Sequence, residues 1–328
     1  MSNSNLPSNT GNNSVNSINS AGNIMSVRNS ALAATQYSNR ITSSNPCAFV
    51  LLIDQSYSMC EEIEDNRGGI KSKAEHLSLI VNQFLDEIIL TCQKTDFIKD
   101  YFEILIIGYG KEDEDGNYEN IVEIAWEGKL KNKTWVSVNE LRNGSIRKET
   151  VTVANLKKFG PREIQQEVNI WIEPIYGGNT PMKGAFELCH TYVEEWVDNN
   201  PNCFPPMVFN ITDGEANDIE DYSELIEAAD KIKNLGTNDG KTLLFNLLLS
   251  ENSSNLKEFP ILNERHLFES KEYEVTLFDI SSTIPTNLKK LLPSTSTSQD
   301  EIKGVVFGDL ESVIRFLNIG TYTLKNNS

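Results

Sequence analysis

The sequence predicts an α/β fold: a doubly wound, mostly parallel open sheet with helices on both faces and a β-rich insertion. Three observations lead there. Runs such as Cys47–Ile53 (CAFVLLI) and Thr242–Leu249 (TLLFNLLL) are continuously apolar over strand length, as strands covered on both faces are. Other segments carry apolar residues at helical spacing. The two kinds alternate along the chain, which implies parallel strands joined by right-handed helical crossovers.

Residues 1–44 stand apart from this pattern. They are rich in Asn, Ser and Gly, with too few large apolar groups to offset the entropy of ordering, and read as a disordered tail. Order is expected from Pro46, and one domain is expected over 45–322, followed by a short tail over 323–328. After the first strand comes a polar loop, and then a helix over Ile70–Leu90 with Leu77, Val81, Phe84, Leu85 and Ile88 on one face. Tyr101–Gly108 (YFEILIIG) is a second buried strand. From about 111 to 168 the rhythm changes: IVEIAWEG, KTWVSVNEL and SIRKETVTVANL read as short strands of an antiparallel insertion. Alternation then returns. Gly184–Val197 is helical, with Phe186, Cys189, His190, Val193 and Val197 close to one face, and Met207–Thr212 (MVFNIT) is a strand. Ser223–Leu235 is a helix with Gly236 placed as its C-terminal cap, and Tyr273–Phe278 is a strand. Asp309–Leu317 is a helix capped by Asp309, with Leu310, Val313, Ile314 and Leu317 inward.

The bulk numbers narrow the function. A chain of 328 residues can bury one large core, and its formal net charge of −18 opposes binding to nucleic acid or to anionic lipid. No apolar stretch spans a bilayer and no secretory leader is seen, so a cytoplasmic protein is expected. The five cysteines show no C-x-x-C pair and read as reduced thiols. The three histidines lie far apart, which argues against zinc, and the exposed position read for His76 gives it no special role.

The chemistry-bearing residues fall in strand-to-helix loops. Asp54, Ser56 and Ser58 form a D-x-S-x-S run directly after the first strand, where the carboxyl end of an open parallel sheet offers a crevice for ligands. Such a run alone arises by chance in roughly one chain in ten of this length. Thr180, in the loop GGNTP, and Asp213, in ITDGE after the strand MVFNIT, occupy equivalent settings and raise the odds. Two carboxylates and three hydroxyls make a hard oxygen set suited to Mg²⁺, with Mn²⁺ or Ca²⁺ as alternatives. Gly177 and Gly178 would let the Thr180 loop approach closely, Pro181 would stiffen the start of the next helix, and Gly214 would relieve crowding beside Asp213. Tyr57, between the serines, is a contact candidate, and Glu215 is read as supporting rather than ligating.

With Asp54, Ser56, Ser58, Thr180 and Asp213 in this order and setting, the chain resembles a von Willebrand factor A (vWA) domain with its metal-ion-dependent adhesion site, D-x-S-x-S…T…D, over roughly residues 46–320. The resemblance implies that the hydroxyls coordinate the ion directly or nearly so and that the aspartates often act through water. One coordination position then stays open for an Asp or Glu of a partner protein. The separation between Ser58 and Thr180 exceeds what the family usually shows, and the 111–168 insertion accounts for it. The ITDGE strand, Leu277–Pro285 (LFDISSTIP) and the ending GVVFGDLESVIRFLNIGT are similar to bacterial cytoplasmic vWA proteins of the tellurium-resistance type. That likeness implies an association with PP2C-like phosphatases and protein kinases in stress signalling.

The expected function is therefore a non-enzymatic interaction module that uses its ion to hold an acidic residue of a protein partner. Two rivals remain. A Mg²⁺-dependent phosphohydrolase would need a second acid two residues after its nucleophilic Asp, where this chain has Ser56, and no lysine is obviously placed for phosphate. A metal-stabilised scaffold would bind the ion without bridging to a partner.

Overall fold

The structure is a computed structural model, and it describes residues 36–64, 70–95, 97–113, 121–155, 162–249, 256–289, 292, 300–309 and 312–318. The expectations for residues 1–35, for Leu310 and for the C-terminal tail lie outside them.

A mostly parallel sheet forms the centre. Its first strand, β1 (Cys47–Asp54), is buried at all eight positions. Next come β2 (Phe102–Lys111), β3 (Ile121–Ile124) and β4 (Val136–Ser137). The hairpin strands β5 (Arg147–Asn155) and β6 (Arg162–Ile170) pair only with each other. The central sheet continues with β7 (Met207–Thr212), β8 (Leu243–Leu249), β9 (Lys257–Glu258) and β10 (Val305–Gly308). The strand order is β9-β10-β8-β7-β1-β2-β3, with β4 also on β2. Pairings among β2, β1, β7, β8 and β10 are parallel, and the edge additions β3, β4 and β9 are antiparallel.

Side-chain alternation along β1 divides the core between two faces. Phe49, Leu51 and Ile53 pack with helix α1 (Lys73–Cys92) and with Val313, Phe316 and Leu317 of the helix over 312–318. Ala48, Val50 and Leu52 pack on the opposite face. Helices α3 (Met182–Asn199), α4 (Tyr222–Asn234) and α5 (Glu272–Ile280) cover it, α2 being the short helix Val138–Asn143 of the insertion. The predicted inner face of α1 is buried throughout. The helix starts after Ser72, whose hydroxyl accepts from Glu75 N at 3.2 Å while the Glu75 carboxylate accepts from Ser72 N at 2.8 Å. This reciprocal cap satisfies two backbone donors that a helix start leaves open. His76 is buried, not exposed, because this start turns it inward.

The insertion is antiparallel, as its turn pattern suggests, but one of its parts changes type. KTWVSVNEL yields only β4 before α2 begins, because Ser137 and Glu140 form a second reciprocal cap (Ser137–Val138–Asn139–Glu140). The β5–β6 hairpin leans on α1 through Val151, Val168 and Ile170 against Leu79. Asn82 of α1 docks the chain that follows: its Oδ1 accepts from Trp171 N at 2.8 Å and Ile172 N at 3.2 Å, and its Nδ2 donates to Ile172 O at 2.9 Å.

Further differences from the sequence reading concern short apolar runs. Tyr273–Phe278 is helical within α5, and the sheet position beside β8 goes to β10 instead. Six residues such as YEVTLF suit either period, and packing decides between them. Gly236 does not cap α4; the chain leaves Leu235 extended and Gly236 pairs with Lys241 in a two-residue hairpin. In the last helix Asp309 accepts from Ser312 N at 3.0 Å, as a cap should, but Ile314 is exposed and Phe316 takes the inward place. Residues ahead of Pro46 also hold to the domain: Ile41 is buried, and Asp239 accepts from Ser38 N and Asn39 N, both at 3.0 Å. Among the described residues no helix is long and apolar enough to cross a membrane. The five cysteines are unbridged, and burial pushes the thiols of Cys92 and Cys203 up to about 12 and about 11.

Candidate metal centre

β1 ends at Asp54, and the loops around it are laced by backbone hydrogen bonds. Gln55 N donates to Tyr109 O at 2.7 Å, Tyr57 N to Gly178 O at 2.8 Å, and Gly178 N to Gly110 O at 2.7 Å. Three chain segments thus meet within one peptide's width. Gly110 makes this possible, because its φ is +98° and a Cβ there would stand 2.1 Å from Asn179 O. A Cβ on Gly178 would stand 2.7 Å from Gly110 O, in keeping with the close approach expected of that loop. Gly214 is different: a side chain there would meet only ordinary contacts, so it relieves no crowding.

The five predicted residues converge. Asp54 Oδ1 accepts from Ser56 N at 2.8 Å, and its Oδ2 accepts from Thr212 Oγ1 at 2.6 Å. Ser56 Oγ and Ser58 Oγ are 3.1 Å apart. Ser58 Oγ donates to Asp213 Oδ1 at 2.6 Å across 155 residues of sequence. Ser58 Oγ and Thr180 Oγ1 lie 3.9 and 4.0 Å from the point where a Cβ on Gly214 would stand. Thr180 is held from both sides by Asn217, whose Oδ1 accepts from Thr180 N at 2.9 Å and whose N donates to Thr180 O at 3.2 Å. Asp54, Ser56 and Thr180 are buried, and the Asp213 side chain is 0% exposed.

Two carboxylates so enclosed repel each other and lose hydration. Burial, and then the charge of Asp213, raise the Asp54 pKa to about 6, against the hydrogen bonds from Ser56 and Thr212. Lys73, the first residue of α1, answers part of this charge: its Nζ lies 3.1 Å from Asp213 Oδ2 and also pairs with the Glu61 carboxylate. Burial works against the ammonium, but the two carboxylates prevail and hold its pKa above the ordinary lysine value. The D-x-S-x-S…T…D set does not include this lysine. Its signal lay in Ser72–Lys73–Ala74–Glu75, a capping pattern that sets the first helical residue toward the crevice. Thr212 was also missed, although it directly precedes Asp213.

Beneath the centre runs a buried polar chain. Tyr109 Oη donates to Asn210 Oδ1 at 2.9 Å, Asn210 Nδ2 to Asn246 Oδ1 at 3.0 Å, and Asn246 Nδ2 to Ser281 Oγ at 2.8 Å. Above it, Tyr57 is 62% exposed, which leaves its ring available for contact. Glu215 accepts from Tyr222 Oη at 3.0 Å and faces α4.

The donor set is five oxygen-bearing side chains, two of them carboxylates, and that composition fits a hard divalent cation. Among the described residues no three His, Cys, Asp or Glu side chains gather as a metal-holding group, so the three hydroxyls must complete any such site.

No protein-family model matches this chain, and no curated protein matches it. Among solved structures it is similar to the conserved hypothetical protein BatB from Bacteroides thetaiotaomicron, at 13% identity and a TM-score of 0.32, covering 62% of this chain and 66% of that one. It is also similar to an uncharacterized membrane spanning protein from Vibrio fischeri, at 12% identity and a TM-score of 0.24, covering 61% of this chain and 69% of that one. Both likenesses are too distant to bear on the chemistry of the centre.

Proposed function

We propose that this chain is a vWA-like interaction module that holds a divalent cation, Mg²⁺ in the first place, through Asp54, Ser56, Ser58, Thr180 and Asp213, and uses it to grip a carboxylate of a partner protein. The convergence of three distant loops on one oxygen cluster carries this reading, above all the 2.6 Å contact of Ser58 with Asp213. The bound ion would supply a Lewis-acidic position for an Asp or Glu side chain. The protein's own groups orient the ligands: Ser56 N and Thr212 Oγ1 fix both oxygens of Asp54, and Asn217 fixes the Thr180 backbone. A partner carboxylate gains a directional bond there, because two aspartates roughly neutralise the ion. Following the tellurium-resistance-type resemblance, a cytoplasmic partner in phosphorylation-linked stress signalling, a PP2C-like phosphatase or a protein kinase, is the first to try.

A phosphohydrolase is the weaker reading. Lys73 does bring a cation beside the carboxylates, yet both oxygens of Asp54 are already engaged, which suits a fixed ligand better than an attacking nucleophile. A metal-stabilised scaffold is separated by experiment. Titration calorimetry should detect Mg²⁺ binding to the wild type and its loss in Asp54→Ala, and partner recovery should fall with chelator and with that substitution. Metal-dependent melting without any change in partner recovery would leave the scaffold, and an absence of binding by Mg²⁺, Mn²⁺ and Ca²⁺ would end the metal reading.

A further inference from the structure

We propose that Lys73 is a tethered counter-cation of this centre, shared between buried Asp213 and exposed Glu61, which competes with the divalent ion for Asp213 and so sets its affinity. The inference rests on the metal reading above and extends it to a residue outside the D-x-S-x-S…T…D set. Its basis is geometric. The Lys73 side chain is 8% exposed, its Nζ is 3.1 Å from Asp213 Oδ2, and the Asp213 side chain is 0% exposed. A second carboxylate on the same ammonium, that of Glu61, is 58% exposed. Lys73 N donates to Glu61 O at 2.9 Å and Ser72 caps the helix, so the stem of the lysine starts from a fixed point within reach of Glu61 and Asp213.

The physical consequence follows from charge. Two enclosed carboxylates without a cation are costly, and an ammonium on one of them lowers that cost. A divalent ion drawn to the same carboxylate meets both a rival ligand for Asp213 Oδ2 and a like charge a few ångströms away. Glu61 gives the ammonium a partner to keep as its hold on Asp213 weakens. The centre would therefore release its ion reversibly without leaving Asp213 uncompensated, and metal occupancy would be coupled to where Lys73 sits.

The test uses the full chain, with Mg²⁺ affinity read by titration calorimetry and metal-free stability read by thermal melting in chelator. Lys73→Met should bind Mg²⁺ about tenfold more tightly than the wild type and melt lower without metal, whereas Lys73→Arg should stay near the wild type in both. Glu61→Gln should weaken Mg²⁺ binding, since Lys73 then leans more heavily on Asp213. In the Lys73→Met background that effect should vanish, whereas a simple field effect of Glu61 would persist. Mg²⁺ affinity that is unchanged or weaker in Lys73→Met, with the melt showing a folded protein, would overturn the role of Lys73 while leaving the metal reading intact. A Glu61 effect of equal size in both backgrounds would overturn the sharing. Failure of the wild type itself to bind the ion would overturn both readings.

Discussion

Both faces of the central sheet bury large apolar clusters, but what β7 and β8 place at their middle differs from one face to the other. On the α1 face β7 and β8 contribute Phe209 and Phe245, and the packing is aromatic: Phe209 stacks on Phe49 at 4.7 Å and meets the edge of Phe316 at 5.1 Å. One residue further along, the same strands turn Asn210 and Asn246 to the other face, where they link Tyr109 to Ser281. The apolar face is adaptable in chemistry and demanding in volume. The polar chain threaded through the other cluster is demanding in pairing, since each member needs its neighbour. The polar chain begins at Tyr109, the residue paired in register with Asp54, so the more exacting face is the one that floors the candidate centre.

Four variants would break or sharpen this contrast. Phe209→Ala should have the largest effect, a loss of about 3–5 kcal/mol read by urea unfolding, because it removes the ring at the centre of the aromatic cluster. A loss below about 1 kcal/mol would mean that the α1 face repacks freely. In the polar chain Asn210→Ala should cost about 1–3 kcal/mol, chiefly by taking one partner each from Tyr109 and Asn246. Replacing Asn210 and Asn246 together by Leu should cost less than the single change, and a larger cost would show that the pairs stabilise beyond mutual satisfaction. The smallest effect should be a gain. Lys303 lies over the Phe278 ring at 5.6 Å, and burial pushes its pKa down from 10.5 to about 8. Below pH 8 this lysine is charged in both folded and unfolded chains and its burial cost is borne in full. Between pH 8 and 10.5 the folded form sheds the proton first and the cost fades. Lys303→Met should therefore melt a few degrees higher at pH 7, and the difference from the wild type should close as pH rises toward 10.5; a constant difference would rule out titration as its source.

The contrast also explains what could be read in advance. Runs such as CAFVLLI and MVFNIT are buried on both sides, so their strand character is written in uninterrupted hydrophobicity. Tyr273–Phe278 and Val138–Leu141 are helical where strands are expected, because a short run with apolar residues serves either period. In the second case the Ser137–Glu140 cap was the overlooked signal. The partners of Asn210 could not be foreseen, since an Asn in a buried strand says that a hydrogen bond exists without saying to what. Lys73 was hidden for a similar reason: only the chain path brings it to Asp213, 140 residues away.

The sequence by itself determined the α/β class, the burial of the central strands and the five oxygen-bearing residues of the candidate centre, because periodicity and loop position are local properties. Tertiary structure alone decided the register that sets Asn210 beside Asn246, the glycine contact at Gly110 that lets the Thr180 loop close on β1, and the ion pair that brings Lys73 to the buried aspartate. Each of these depends on distances between segments far apart in the chain, which local pattern does not encode.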